Sequence, residues 1–286
     1  MTAAATHRHG GGFLQTMARA SRARVRAARA REPEPTLRRR ALATPPPPAL
    51  RLSGFDVIAE LKLRSPAAGD LAAAGFDRTA QIDAYAAGGA AAVSVLTEPE
   101  AFKGQLRDLA AAAAVLAGHG IPAMRKDFLT DPYQVLEARA AGAGGVLVIV
   151  TMLADGDVLA LLESAAEHGL FVLLEGFDER DLERIAALDI ADRYPVPVLC
   201  GVNCRDLASL EVDFERFGKL AARLPPRLPA VAESGIDAPA DVLTVAGLGY
   251  RAALIGSALM RSADAARRLA EFRQAGAQAA GVAPCS

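Results

Sequence analysis

Acid–base side chains punctuate this chain at the ends of short apolar runs. In Ile58-Ala59-Glu60-Leu61-Lys62-Leu63-Arg64-Ser65-Pro66 apolar and charged residues alternate with period two. A strand with that pattern puts Ala59, Leu61 and Leu63 on one face and Glu60, Lys62 and Arg64 on the other. Later runs end in Arg125-Lys126-Asp127, in Glu175, in Asn203-Cys204-Arg205 and in Glu233-Ser234-Gly235. Three carboxylates, two lysines and an amide could give and take protons at one site if the fold brings them together. For any one of these charges a solvated ion pair is the simpler account. Ser234-Gly235 and Gly256-Ser257 offer different chemistry. Hydroxyls beside glycine, where the backbone can approach closely, suit a phosphate ester.

What would bring these residues together is a repeat. From residue 55 onward a short apolar run, rich in β-branched residues, is followed by an amphipathic segment. Candidate strands span 57–63, 91–96, 121–125, 145–151, 170–175, 198–203, 229–233 and 252–256. Candidate helices follow at 78–87, 104–117, 131–141, 155–168, 178–188, 213–223, 238–247 and 263–274. Asp77, Asp131 and Asp178 are placed to cap three of them, with Pro132 at a first helical position. Eight β-then-α units imply parallel strands. No Gly-x-Gly-x-x-Gly follows the first strand, which weakens an open dinucleotide-binding sheet. The expected fold is α/β, a (β/α)8 TIM barrel with an N-terminal helical extension. Catalytic groups in such barrels sit at the C-terminal ends of strands, where the acid–base residues fall, and the last two loops are where a phosphate is commonly held.

Composition narrows the classes. The chain has 286 residues, is 52% hydrophobic and 23% charged, and carries a net charge of −1, so nothing global points to nucleic acid. Its three cysteines, Cys200, Cys204 and Cys285, lack metal-site or disulfide spacing, which favours a reduced, cytoplasmic setting. The alanine-rich run from Leu109 to Met124 is broken by Gly118-His119-Gly120 and reads as helix, turn and strand start rather than a membrane span. Residues 19–40 hold nine arginines, and the first acid is Glu32. A transit peptide or an RNA-binding arm shares that bias. Phe13, Leu14, Met17 and Val25 instead form an apolar stripe, so a basic amphipathic helix over 13–30 is expected after a disordered start. The resulting organisation is a basic extension over 1–48 ending in the linker Pro45-Pro46-Pro47-Pro48, a barrel over 49–275 and a tail over 276–286.

In order, "IAELKLRSPAAG", "SVLTEPEAFKG", "RKDFLTDPYQVLEARAAGA", "GVNCRDL", "AESGI" and "LIGSALMR" resemble the indole-3-glycerol-phosphate synthase family over roughly residues 55–265. The resemblance implies a carboxy-lyase of tryptophan biosynthesis. Such an enzyme closes an indole ring on 1-(2-carboxyphenylamino)-1-deoxyribulose 5-phosphate, releasing carbon dioxide and water without cofactor or metal. It implies Lys126 as general acid, with Glu60 beside it holding the ammonium in place. Lys62 would bind the carboxylate or phosphate and supply a later proton, and Glu175 would act as base. Asn203 and Glu233 would orient the substrate. Ser65, Phe102, Phe128, Leu147 and Arg205 would bind it, and Ser234, Gly235, Gly256 and Ser257 would hold its phosphate. The expected partner is a small phosphorylated substrate, with no nucleic acid or membrane, in a monomer or weak homodimer.

Three departures stand out. Ala67-Ala68 replace a common Ser-Lys, Gly176-Phe177 a common Val-His, and Cys204 a common Asn or Ser. A paralogue in specialised indole metabolism remains an alternative. So does a non-catalytic barrel with a partner-binding leader, although such a module would not require Glu60, Lys62, Lys126 and Glu175 together.

Overall fold

A computed structural model describes residues 11–65, 69–70, 75–207 and 209–281. Eight parallel strands close into a barrel: β1 (Asp56–Leu61), β2 (Ala92–Leu96), β3 (Ala123–Lys126), β4 (Gly145–Ile149), β5 (Phe171–Gly176), β6 (Val198–Asn203), β7 (Ala230–Glu233) and β8 (Ala252–Ile255). Each pairs with its sequence neighbours, and β1 closes the ring on β8 through Asp56 opposite Ala252. The eight-unit barrel expected from the repeat is the one observed.

Strand parity sorts the core into two layers. Val57, Ala59 and Leu61 join the apolar layer between strands and helices. Ile58 points inward with Met124, Leu147, Phe171, Leu199 and Val231, forming the floor of the barrel. The first strand ends at Leu61, two residues sooner than its alternation predicts. Arg64–Ser65 instead pairs with Gly69–Asp70 in a small antiparallel ladder, in which Gly69 adopts a φ of 69°. Ala67 and Ala68 lie outside the described residues, as does the side chain of Ser65.

Helices α1 (Gly11–Arg31) and α2 (Glu34–Ala43) precede the barrel. The helices α3 (Arg78–Ala87), α4 (Leu106–Ala117), α5 (Pro132–Ala140), α6 (Asp155–Glu167), α7 (Glu179–Ala187), α8 (Arg216–Ala221) and α9 (Pro239–Gly247) surround it. A short α10 (Ser257–Met260) follows β8, and α11 (Ala265–Gly281) ends the described chain. Asp77, Asp131 and Asp178 cap α3, α5 and α7 through hydrogen bonds from backbone N–H groups. Helix extends beyond the sequence expectation in two places, whereas α8 covers only part of its expected 213–223. α2 occupies residues assigned only to the basic extension: Pro35 suits a first helical turn, and Leu37 and Ala41 bury against Tyr133 and Leu136. α11 runs past 274 into the stretch read as tail, since alanine-rich sequence continues a helix and Ala275 is buried. The expected disordered start falls largely on residues 1–10, outside the described residues, whereas Gly11 and Gly12 open α1.

The extension docks on α5. Arg29 forms two hydrogen bonds with Asp131, Tyr133 donates its hydroxyl hydrogen to the Glu32 carbonyl, and Arg139 donates to the Thr44 carbonyl. The arginine bias therefore serves tertiary contacts: Arg24, Arg29, Arg38 and Arg40 all pair with carboxylates of this chain.

Candidate active site

Above the apolar floor the barrel opens into a cavity of about 330 Å³ at the C-terminal ends of the strands. Lys126, the last residue of β3, projects across it. Its Nζ lies 3.2 Å from Glu175 Oε2 and 3.1 Å from Glu233 Oε2. A second pair stands beside the first, with Lys62 Nζ 2.6 Å from Glu60 Oε1. Asn203 connects the carboxylates to the last loops. Its Nδ2 donates to Glu175 Oε1 at 3.1 Å, while its Oδ1 accepts from the Ser234 hydroxyl at 2.9 Å and the Arg205 N–H at 3.0 Å. Both amide groups of Asn203 are thus committed, and the network fixes its orientation.

Two glycines make room for this ring. A Cβ at Gly201 would collide with Glu233 Oε1, and one at Gly256 with Glu60 Oε1. On the other side of Glu233 the chain turns sharply: Ser234 and Gly235 have φ of 70° and 72°. A left-handed serine is strained, and its hydroxyl is spent on Asn203 Oδ1.

Electrostatics follow from burial and pairing. Burial works against the Lys126 ammonium, but Glu175, Glu233 and Glu60 outweigh it and raise its affinity for the proton. Burial also pushes the Glu60 carboxyl up, yet Lys62 and Lys126 bring it below its ordinary value. At Glu233 burial prevails over the pull of Lys126, Glu175 adds repulsion, and the carboxyl is raised to about 8. Two carboxylates sharing one ammonium account for that asymmetry. Among the described residues, Glu233 Oε1 is a buried oxygen without a hydrogen-bond partner, lying against Gly201. The ring can therefore hold a positive charge at Lys126, accept a proton at a carboxylate, and bind anions through Lys62 and Arg205.

A family model described as indole-3-glycerol phosphate synthase matches residues 14–272. The chain belongs to the indole-3-glycerol phosphate synthase family. Curated members include a Nocardioides sp. protein, 47% identical over 219 residues that cover 77% of this chain and 80% of the relative. A Parafrankia sp. member is 45% identical over 227 residues, covering 79% and 81%. A solved structure of 3-hexulose-6-phosphate synthase from Salmonella typhimurium superposes with a TM-score of 0.59 at 14% identity, covering 79% of this chain and all of that one, and so shares the fold.

Within this family framework, all the candidate side chains except Ser65, whose side chain lies outside the described residues, reach one cavity. Glu60, Lys62, Lys126, Glu175, Asn203 and Glu233 form its polar ring. Phe102, Phe128 and Leu147 line its apolar wall, and Ser234, Gly235, Gly256 and Ser257 its far end. Arg205 joins through its backbone hydrogen bond to Asn203, and its guanidinium donates to the Leu210 carbonyl at 2.6 Å. Glu60 attracts the Lys126 ammonium by charge, and other carboxylates hydrogen-bond to it. Glu175 and Glu233 do so, because β5 and β7 point their last inward residues at β3, while Glu60 turns to Lys62.

Residues that sequence reading missed belong to contacts distant along the chain. Phe13 of α1 lines the cavity and meets Phe128 edge-on at 5.8 Å, and Arg261 lines the far end. The apolar stripe of α1 signals that Phe13 packs somewhere, but not against which strand end. Arg261, the last residue of "LIGSALMR", follows the short α10 that begins at Ser257.

Proposed function

We propose that this chain closes the indole ring of indole-3-glycerol phosphate, acting as a carboxy-lyase on 1-(2-carboxyphenylamino)-1-deoxyribulose 5-phosphate in tryptophan biosynthesis. The observation that carries the reading is the Lys126 ammonium held 3.2 and 3.1 Å from two buried carboxylates in a cavity with one apolar wall and one hydroxyl- and glycine-lined end. The apolar wall suits the substrate's aromatic ring and the other end its phosphate.

In this reading the ring carbon bearing the carboxylate attacks the ketone, and its oxygen gains negative charge. Lys126 stabilises that oxygen and gives it a proton. An ammonium bound so firmly by its neighbours is a weak acid toward water. An alkoxide is basic enough to take its proton, so transfer is coupled to the bond-forming step. Loss of carbon dioxide returns the electron pair to the ring. The new hydroxyl then leaves as water with a proton from Lys62, while Glu175 removes the proton whose loss makes the five-membered ring aromatic. Asn203 and Glu233 orient the substrate, Arg205 binds it, and Ser234, Gly235, Gly256 and Ser257 hold the phosphate with Lys62. The buried thiols of Cys200 and Cys204 favour a reducing, cytoplasmic setting.

The test is direct. Purified protein is incubated with the carboxyphenylamino-deoxyribulose phosphate while indole fluorescence is followed. A signal that grows with enzyme concentration is expected. Its absence where an authentic synthase responds would refute the reaction.

A further inference from the structure

Helix α1 brings a cation to the edge of the catalytic ring. The Arg24 side chain is 26% exposed, whereas the two carboxylates it meets, Asp127 and Glu98, are 1% and 0% exposed. One guanidinium nitrogen, Nη2, donates to Asp127 Oδ1 at 2.7 Å. The other, Nη1, stands 3.5 Å from Glu98 Oε1 without completing a hydrogen bond. Each carboxylate organises a different part of the cavity wall. Glu98 accepts from the backbone N–H groups of Glu100, Ala101 and Phe102 at 3.0, 2.6 and 3.1 Å, fixing the turn that presents the Phe102 ring. Asp127, next in sequence to Lys126, accepts from the Phe128 N–H at 2.8 Å and from Arg125 and Thr97.

The same helix begins beside Phe13, whose ring meets Phe128 edge-on, and the Phe128 ring lies 6.2 Å from that of Phe102. One helix is thus tied to the loop after β3 twice, by charge at Arg24 and by the ring of Phe13, and to the loop after β2 by the Arg24–Glu98 ion pair. We infer that Arg24 is a positioning residue: by clamping α1 to Glu98 and Asp127 it sets the Phe13–Phe128–Phe102 wall, and hence the grip on the substrate's ring, without touching the substrate. The inference rests on the proposed reaction only for the identity of that ring. When Arg24 is lost Arg125 still pairs with Asp127, and Glu98 loses its ion pair but keeps three backbone N–H donors, so neither buried carboxylate is left without partners and the barrel survives. What disappears is the charged tie between α1 and the catalytic loops, leaving the Phe13–Phe128 contact to hold that end alone.

Arg24→Met and Arg24→Lys in the full chain separate positioning from general support. Arg24→Met is expected to raise KM about tenfold, with kcat changed by less than about threefold, because ring binding loosens while the proton-transfer groups stay put. Amide hydrogen exchange in α1 should accelerate while the barrel strands keep their protection. Arg24→Lys should recover part of the KM, since an ammonium reaches one carboxylate as a point charge but cannot bridge two. Unchanged KM and unchanged α1 exchange in Arg24→Met would overturn the inference. So would a joint fall of kcat and strand protection that Arg24→Lys does not relieve, because that marks a structural role alone. The exchange measurement needs no substrate. A wild-type chain that makes no indole would therefore refute the proposed reaction, and α1 exchange would still decide the clamp.

Discussion

The two ends of the barrel interior are made by the same strands and have opposite chemistry. On the floor, Ile58, Met124, Phe171, Leu199 and Val231 pack against one another and bury no charge. Further along the same strands, on the same inward face, stand Glu60, Lys126, Glu175, Asn203 and Glu233. Parity decides which residues face inward, and depth along the strand decides what an inward residue contributes. Hydrocarbon at the floor stabilises the fold by leaving water. The charged ring is costly to bury unless each member is paired, and the pairing is what arms it for chemistry.

Substitutions at the two ends should therefore separate activity from stability. The sharpest loss of activity is expected from Lys126→Met, which removes the ring's central cation. We expect kcat to fall about 10²–10⁴-fold, the span for loss of a general acid, with the circular dichroism spectrum of the barrel retained. Near-normal turnover would remove Lys126 from the mechanism.

The floor should respond in the opposite sense. Phe171→Ala empties a fully packed position and should cost about 3–5 kcal/mol in denaturant unfolding. At temperatures where the variant stays folded, kcat should change only a few-fold. A loss of activity as large as that of Lys126→Met in a still-folded protein would show that floor and ring are not separable.

Gly201→Ala tests the boundary between the two ends. Its methyl group would enter the space of Glu233 Oε1 and push that carboxylate off Lys126. A displacement of this kind can cost about 10²-fold in rate, read as a fall in kcat, and the crowded, unpaired carboxyl should also lower the thermal midpoint. An unaltered kcat would mean that the Glu233–Lys126 contact is not needed in the reacting complex.

Much of this architecture is legible in the sequence, for physical reasons. The β-then-α alternation needs only local periodicity and caps, which Asp77, Asp131 and Asp178 supply. The inward turn of Glu60 and the outward turn of Ala59 and Leu61 follow from strand parity once the barrel is granted. Partner choice within the ring is not legible, because it depends on register between strands far apart along the chain. Lys126 meets Glu233 at a separation of 107 residues. The Arg24–Asp127 contact spans 103, and a run of nine arginines gives no sign of which one docks. The little ladder from Arg64 escapes notice because its strands are two residues each, too short for alternation to mark.

The subtlest difference between floor and ring is in pH response. Floor residues do not titrate, whereas Glu233 is raised from an ordinary 4.5 to about 8, chiefly by burial, against Lys126 and with repulsion from Glu175. The unfolded chain loses this proton near the ordinary value, and the folded chain keeps it to the higher one. Between the two values the folded state binds more protons than the unfolded state. Stability contributed by Glu233 is therefore complete below the unfolded value and declines as pH rises toward about 8. Glu233→Gln keeps a neutral side chain of the same shape and removes that decline. Measured by thermal unfolding, the midpoint of the variant minus that of wild type should grow more positive from about pH 5 to about pH 8 and level off above. A difference that stays constant across this window would mean that Glu233 is already ionised in the folded protein, and that Lys126 outweighs burial at the base of the ring.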